Sequence, residues 1–316
     1  MVNLIWADRK SPILSSSNLA CLAHIPSINL TSGCAHNCIY CYARGYSVFP
    51  GENKVVIFKN ILDKLKSEFL HKRNKPQAVY FSPSSDIFQP IPDVLELSHA
   101  VLELLLSMDI GIAFVTKGRI PDKTLGLLLN HANKVRAQIG LITHDDNIRK
   151  IFEPNTASVV TRLLQMAQMV AGGISVEARI IPIIPGITDT LHSIDHLYSA
   201  ISMAGVKHAA ISTLFLRPAI IASLRTRISD QDVFNNLLSV YKNSSRMAVK
   251  SRTSSVVALS SVKREEIYER FRQRAKNNAI DLSICGCMNP DIGGTCNITG
   301  RWPKYNSQQG WFDQED

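Results

Sequence analysis

No apolar run in the 316-residue chain approaches the roughly 18 to 20 residues needed to cross a bilayer. Residues 1–10 also lack the succession of charged, apolar and small residues that marks a secretory leader. The expectation is a cytoplasmic protein with no membrane partner. Cysteine is scarce, with seven residues in all, and six of these fall in two tight groups. That distribution suits metal ligation in a reducing compartment better than a disulfide framework. A second Cys-x2-Cys knuckle to match Cys38 and Cys41 is missing, although structural zinc usually has two. What is present is 45% hydrophobic residues, enough for a large core arranged as one α/β domain with an appendage or as two smaller domains. The formal charge of +9 allows a nucleic-acid partner without establishing one.

The first cysteine group lies in residues 33–44, Gly-Cys-Ala-His-Asn-Cys-Ile-Tyr-Cys-Tyr-Ala-Arg, where Cys34, Cys38 and Cys41 have Cys-x3-Cys-x2-Cys spacing. Three thiolates on one short loop can wrap one inorganic cluster. A four-iron cluster normally takes four cysteines, so three leave one iron with an open position at which chemistry can occur. Zinc is the rival metal, but the extra donor here is His36, whose ligation from between the cysteines would strain the loop. Three unrelated buried thiols are the remaining reading, and it does not explain why three of seven cysteines occupy eight residues.

From residue 27 onward, short apolar runs alternate with helical patterns, as in a parallel sheet covered by helices. Strands are predicted at 27–30, 78–81, 110–115, 137–142, 175–184 and 209–215. Helices are predicted at 54–71, 92–108, 121–134, 156–171 and 190–204, the last capped by Asp189. The fold class is therefore α/β, a partial (β/α)6 barrel of TIM type over residues 27–218. An irregular lead-in, residues 1–26, contains Cys21, read as a small buried hydrophobe.

Residues 219–316 break the rhythm and form a C-terminal extension: a helix at 228–242, a Ser/Thr-rich connection and a basic helix at 262–276. Arg270, Arg272 and Arg274 on that helix either face solvent or meet phosphates. Cys285, Cys287 and Cys296 follow among glycines and Pro290. This second group reads as an auxiliary iron–sulfur cluster, with zinc as the alternative and unmetallated thiols as the third reading.

In a (β/α) barrel the reactive loops sit at the carboxyl ends of the strands. Those ends here carry the cysteine loop, Ser82 to Pro90, Thr116-Lys117-Gly118, Thr143 to Asp146, Pro182 to Asp189, and Arg217-Pro218. Singly, such polar residues are as often helix caps or turns.

The Cys-x3-Cys-x-aromatic-Cys motif, with Tyr40 as the aromatic, resembles the signature of the radical S-adenosylmethionine (SAM) superfamily. Further matches resemble its spore photoproduct lyase-like branch over about residues 27–218: Thr116-Lys117, Glu153-Pro154, and the Pro-x-x-Pro-Gly-x-x-Asp run from Pro182. The resemblance implies a 4Fe-4S cluster on Cys34, Cys38 and Cys41 whose open iron binds SAM, and an external electron donor such as flavodoxin or ferredoxin. It further implies that Ser84 and Ser85 meet the SAM amino group, Lys117 its carboxylate and Thr143 its ribose. Tyr40 and the backbone of Ile184 to Gly186 would hold adenine. Arg179 either faces SAM or pairs with Glu177 or Glu153. The branch includes a DNA-repair lyase, so a nucleic acid or nucleotide is one expected substrate and a peptide or small molecule the other. The lyase returns hydrogen to its product from a cysteine just before Thr-Ser-Asp; here Pro83 precedes Ser84-Ser85-Asp86 and has no hydrogen to give.

Overall fold

All six predicted strand runs pair in the computed structural model, which describes residues 2–16, 22, 25–70, 75–249 and 255–294. In chain order the first elements are β1 (Asn3–Ala7), β2 (Ser27–Ile28), β3 (Thr31–Ser32), β4 (Lys54–Phe58), α1 (Ile61–Leu70), β5 (Ala78–Phe81) and α2 (Pro92–Ser107). There follow β6 (Gly111–Thr116), α3 (Asp122–Leu129), β7 (Val135–Gly140), α4 (Asp146–Phe152), α5 (Val159–Ala171), β8 (Ser175–Ile183) and α6 (Leu191–Met203). The remainder are β9 (His208–Thr213), α7 (Pro218–Arg227), α8 (Gln231–Ser239), β10 (Ser245–Ala248), β11 (Ser255–Ala258), α9 (Ser261–Asn277) and β12 (Asp281–Ile284).

The main sheet is parallel, in the order β12-β9-β8-β7-β6-β5-β2. Its middle strands are buried on both faces, as crossover helices require; β5, Ala-Val-Tyr-Phe, is buried throughout. Ile112 and Phe114 of β6 belong to the large core cluster that also takes in Leu102, Leu105 and Leu106 of α2. Ala113 instead joins Ala78, Tyr80, Cys285 and Cys287 on the concave side, with Val115 packed against that group. Among the described residues the two edges, β2 and β12, do not pair, so the sheet is a partial barrel and not a closed one.

The structure corrects several expectations. Six strands ending by residue 218 become seven, because β12 pairs in parallel with β9 in the same sheet. The lead-in expected to be irregular contains β1, which pairs in parallel with β4. The helix expected over 54–71 is strand β4 followed by α1: Lys-Val-Val-Ile-Phe buries Val55 and Ile57 with period two, and its β-branched residues favour a strand. The helix expected at 228–242 is shorter, α8 over Gln231–Ser239, and is preceded by an additional helix, α7, which Pro218 opens. The polar connection forms an antiparallel pair, β10 with β11. The cap of α6 is Thr190, which accepts a hydrogen bond from Ser193 N; Asp189 is drawn away to Gly186 N and Arg270.

Candidate active site

The cysteine loop hangs between two sheets. β2 anchors it to the main sheet, and β3, two residues before Cys34, pairs antiparallel with β4 in the small sheet β1-β4-β3. Local bonds then shape it. Arg44 ties its C-terminal end back to its middle by donating from Nε to Cys38 O at 3.2 Å and from Nη2 to Asn37 Oδ1 at 2.6 Å, while its Nη1 meets Glu52. Asn37 has φ of 55°, a left-handed value that asparagine tolerates better than most residues.

Strand ends hold the same loop from below. Gln89, fully buried, accepts from Ala35 N at 2.8 Å and donates to Thr31 Oγ1 at 3.0 Å. Asp86 accepts from Thr116 Oγ1, Lys117 N and Phe88 N, each at 2.8 Å, and faces His36 Nε2 at 3.1 Å. Burial alone would raise the Asp86 carboxyl, but the His36 imidazole and these N–H donors outweigh it and hold it below the usual carboxylate range. The opposite ring nitrogen of His36 lies 3.1 Å from Asn155 O, and Asn155 Nδ2 donates to Ala35 O at 2.9 Å. His36 is thus a brace of the loop.

Beneath the cysteines is a buried charge cluster. Glu153, 0% exposed, accepts from the Tyr40 hydroxyl, lies 2.7 Å from Arg162 Nη2 and 3.5 Å from Lys117 Nζ. Arg162, also fully buried, donates to Gly140 O at 2.7 Å, Ala157 O at 2.9 Å and Thr156 Oγ1 at 2.8 Å. Burial would raise the Glu153 carboxyl, yet Arg162 and then Lys117 pull it below its ordinary value, so it stands as a carboxylate between two cations. Gly140 makes room for Lys117, because a Cβ there would collide with the lysine stem and ammonium.

The three thiols are inside this frame. Burial pushes the Cys34 thiol well up, and Asp86 and Cys38 add to the rise. Cys38 is raised by burial and then by Glu153, with Lys117 pulling the other way. Cys41 is raised by burial, against nearby backbone N–H groups and Arg44. Buried thiols of this kind lose their protons to a metal, so ligation and deprotonation occur together. Among the described cysteines, Cys285 and Cys287 belong to a different packing group, so three thiols and not four sit on this loop.

The other expected site residues have mixed fates. Ser85 Oγ is buried with no hydrogen-bond partner, the type of orphan a ligand would satisfy; Ser84 N donates to Asn29 Oδ1 at 3.1 Å. The Lys117 ammonium, expected to meet the SAM carboxylate, lies 3.5 Å from Glu153 and 6.0 Å from the Tyr40 ring centre. Tyr40 is buried with its hydroxyl on Glu153. Thr143 Oγ1 accepts from Asp145 N at 3.0 Å, the role of a turn-former. Ile184 N and Gly186 N are taken by Thr188 Oγ1 at 2.8 Å and Asp189 Oδ1 at 2.6 Å, which stiffens the loop after β8. Arg179 turns inward and joins Tyr80, Gln138 and Glu177: Tyr80 donates to Gln138 at 3.2 Å, Gln138 to Glu177 at 3.0 Å, and Arg179 to Gln138 at 3.3 Å.

Cys285 and Cys287 face the same concave side. Cys285 N donates to Ile211 O at 3.0 Å, extending the β12–β9 ladder by one residue. Inward parity then passes from Ser283 to Cys285. A buried network fixes the turn: Asn289 donates to Cys285 O at 2.9 Å and accepts from Arg264 and Tyr268, each at 2.8 Å. Arg264 also pairs with Asp291. A Cβ on Gly286 would strike Gly294 O, so the chain closes back over the pair. Cys21 and Cys296 lie outside the described residues.

The arginines of α9, expected either to face solvent or to meet phosphates, are engaged within the protein. Arg270 lies 2.7 Å from Asp189, Arg272 3.0 Å from Glu265 and Arg274 2.9 Å from Asp195. Sequence reasoning missed the braces Gln89, Asn155 and Arg162, whose partners are distant in the chain. It also missed His144, His192 and His196, for which the His-x3-His spacing at 192–196 was a usable signal.

Residues 28–198, more than half of the chain, match the family described as the radical SAM superfamily. An uncharacterised protein of Mycobacterium tuberculosis is 24% identical over 217 residues, covering 66% of this chain and 64% of that protein. The chain thus spans slightly less than two thirds of the length of this relative. A protein of Pseudomonas phage M6 named radical SAM Nalpha-GlyT isomerase is 25% identical over 179 residues, 56% of this chain and 37% of its own length. The solved structure of spore photoproduct lyase complexed with dinucleoside spore photoproduct superposes with a TM-score of 0.67 at 16% identity, covering 89% of this chain and 81% of the lyase. That likeness shows a shared fold.

Proposed function

We propose that this chain, which belongs to the radical SAM superfamily, holds a four-iron cluster on Cys34, Cys38 and Cys41 and uses it to abstract hydrogen from a substrate in the barrel lumen. The observation that carries the reading is the set of three thiols on one loop, Cys38 buried and Cys34 and Cys41 half-buried, braced from both sheets and one ligand short of a closed four-iron site. When bound, a reduced cluster of this type would supply the electron for reductive cleavage of SAM, radical chemistry that no side chain offers.

The chain's own residues position and shield. Ser85 offers its orphan hydroxyl to the SAM amino group; Ser84 stands beside it after β5, and Thr143 follows β7, two strands along the sheet. Tyr40 and the loop from Ile184 to Gly186 bound the adenine side. Lys117 and Arg162 set a positive field beside the thiolates, with Glu153 limiting it. Arg179, Gln138, Glu177 and Tyr80 give the lumen polar groups for substrate. A flavodoxin or ferredoxin serves as electron donor. Anaerobic reconstitution with iron and sulfide, then reduction and SAM addition, should yield 5′-deoxyadenosine and methionine in equal amounts; no cleavage would remove the proposal.

A nucleic acid or nucleotide is the proposed substrate, supported by the fold shared with spore photoproduct lyase and by the charge of +9. The pairing of Arg270, Arg272 and Arg274 favours a second reading, a peptide or small molecule. Salt separates the two. A chain that contacts several phosphates should lose affinity for DNA or RNA by roughly 10³-fold or more between 50 mM and 200 mM salt. Weak binding that ignores salt selects the second reading.

Cys285 and Cys287, with Cys296, are proposed to hold an auxiliary iron–sulfur cluster, zinc being the alternative. The inward placement of Cys285 and Cys287 beside Tyr80 supports a site that faces the lumen. Replacing all three by alanine should lower bound iron by about one cluster while SAM cleavage stays measurable. Unchanged iron with stoichiometric zinc in the parent would make the site a structural zinc knot.

A further inference from the structure

Three histidines outside both cysteine groups lie together at the rim. His144 follows Thr143, beyond the end of β7, and His192 and His196 stand four apart on α6, a spacing that sets both imidazoles on one helix face. Ring centres are 4.2 Å apart for His192 and His196, 4.9 Å for His144 and His196, and 6.2 Å for His144 and His192. An imidazole nitrogen sits about 2.1 Å from zinc, and tetrahedral ligation then spaces ring centres by roughly 5 Å. The three separations bracket that value.

One further observation favours an ion over a simple stack of rings. His144 Nδ1 is buried without a hydrogen-bond partner, the kind of orphan that a ligated ion would satisfy.

As placed, His144 and His196 stack at 22°, and among the described residues no three such groups are already arranged round an ion. His192 and His196 are exposed, so rotation about their side-chain bonds can turn both rings inward. We propose that His144, His192 and His196 bind one divalent transition-metal ion of the zinc class, tying the loop after β7 to α6. Three imidazoles without carboxylate suit zinc, cobalt, nickel or copper and do not suit magnesium or calcium.

The test uses the full chain, reconstituted with iron and sulfide, then titrated anaerobically with zinc against a chromogenic chelator and gel-filtered. The parent should retain about one zinc per chain more than the His192→Ala/His196→Ala double variant, with iron equal in the two. Each single replacement should weaken zinc binding by roughly tenfold or more, and magnesium should not compete. Both replaced side chains are exposed, and matching circular dichroism spectra will confirm that the fold is kept. Equal zinc retention by parent and double variant, or zinc gained only as iron is lost, overturns the proposal. Zinc retention is read without turnover, so its failure is distinct from failure of the radical chemistry.

Discussion

Cys38→Ala is expected to abolish 5′-deoxyadenosine formation and to lower bound iron by about one cluster. Of the three thiols, Cys38 is the one most tightly framed: buried, its carbonyl held by Arg44, its sulfur between the fields of Glu153 and Lys117. Two remaining cysteines cannot retain a cluster that already has one ligand fewer than the usual four. The fold should survive, because the braces on Ala35, His36 and Arg44 do not pass through the Cys38 side chain. Iron and product are measured on the same sample. Full iron with full activity in the variant would place the reactive cluster elsewhere.

The second large effect is on stability. Glu153→Ala should cost about 3–5 kcal/mol, since it leaves the buried Arg162 guanidinium and the Lys117 ammonium without their carboxylate. It also strands the buried Tyr40 hydroxyl. The readout is a shift in the urea midpoint at unchanged slope. The pH dependence has a definite sign. Arg162 and Lys117 hold the folded Glu153 carboxyl below its ordinary value. Its contribution is therefore complete above the unfolded glutamate pKa of about 4.3 and is lost as pH falls through the depressed folded value. The gap between parent and variant should stay constant near neutrality and narrow in acid. A gap that widened in acid would contradict the assignment of Glu153 as a carboxylate.

What the sequence made legible was local. Cysteine spacing is a property of eight consecutive residues, and the main-sheet strands from β5 to β9 carry dense apolar runs between helical stretches. β4 is hidden in the sequence because Lys59 and Asn60 separate it from α1 without glycine or proline, so the helical periodicity extends straight through it. β12 is short and half polar, Asp-Leu-Ser-Ile, and follows a helix outside the regular βα rhythm. Asp189 and Thr190 are adjacent cap-formers, and only tertiary contact with Gly186 and Arg270 decides between them.

The site follows the same division. Tyr40 and Glu153 are 113 residues apart, and their bond exists only because α4 ends against the cysteine loop, where Ile39 N donates to Phe152 O at 3.0 Å. Lys117 was placed correctly at a strand end, but its partner could not be read without knowing that Glu153 and Gly140 border the same space. The α9 arginines form a basic stripe in sequence, and the carboxylate partners of Arg270 and Arg274, on the loop after β8 and on α6, appear only when the chain is folded.

The most direct measurement takes the Cys285→Ala/Cys287→Ala/Cys296→Ala variant, so that the first site is the sole remaining cysteine cluster, reduces it, and records its electron paramagnetic resonance spectrum before and after SAM is added. An iron left open by three ligands should take up SAM and shift the cluster signal. A reduced four-iron signal that does not change with saturating SAM, or no such signal at all, would contradict the central claim that Cys34, Cys38 and Cys41 hold the SAM-binding cluster.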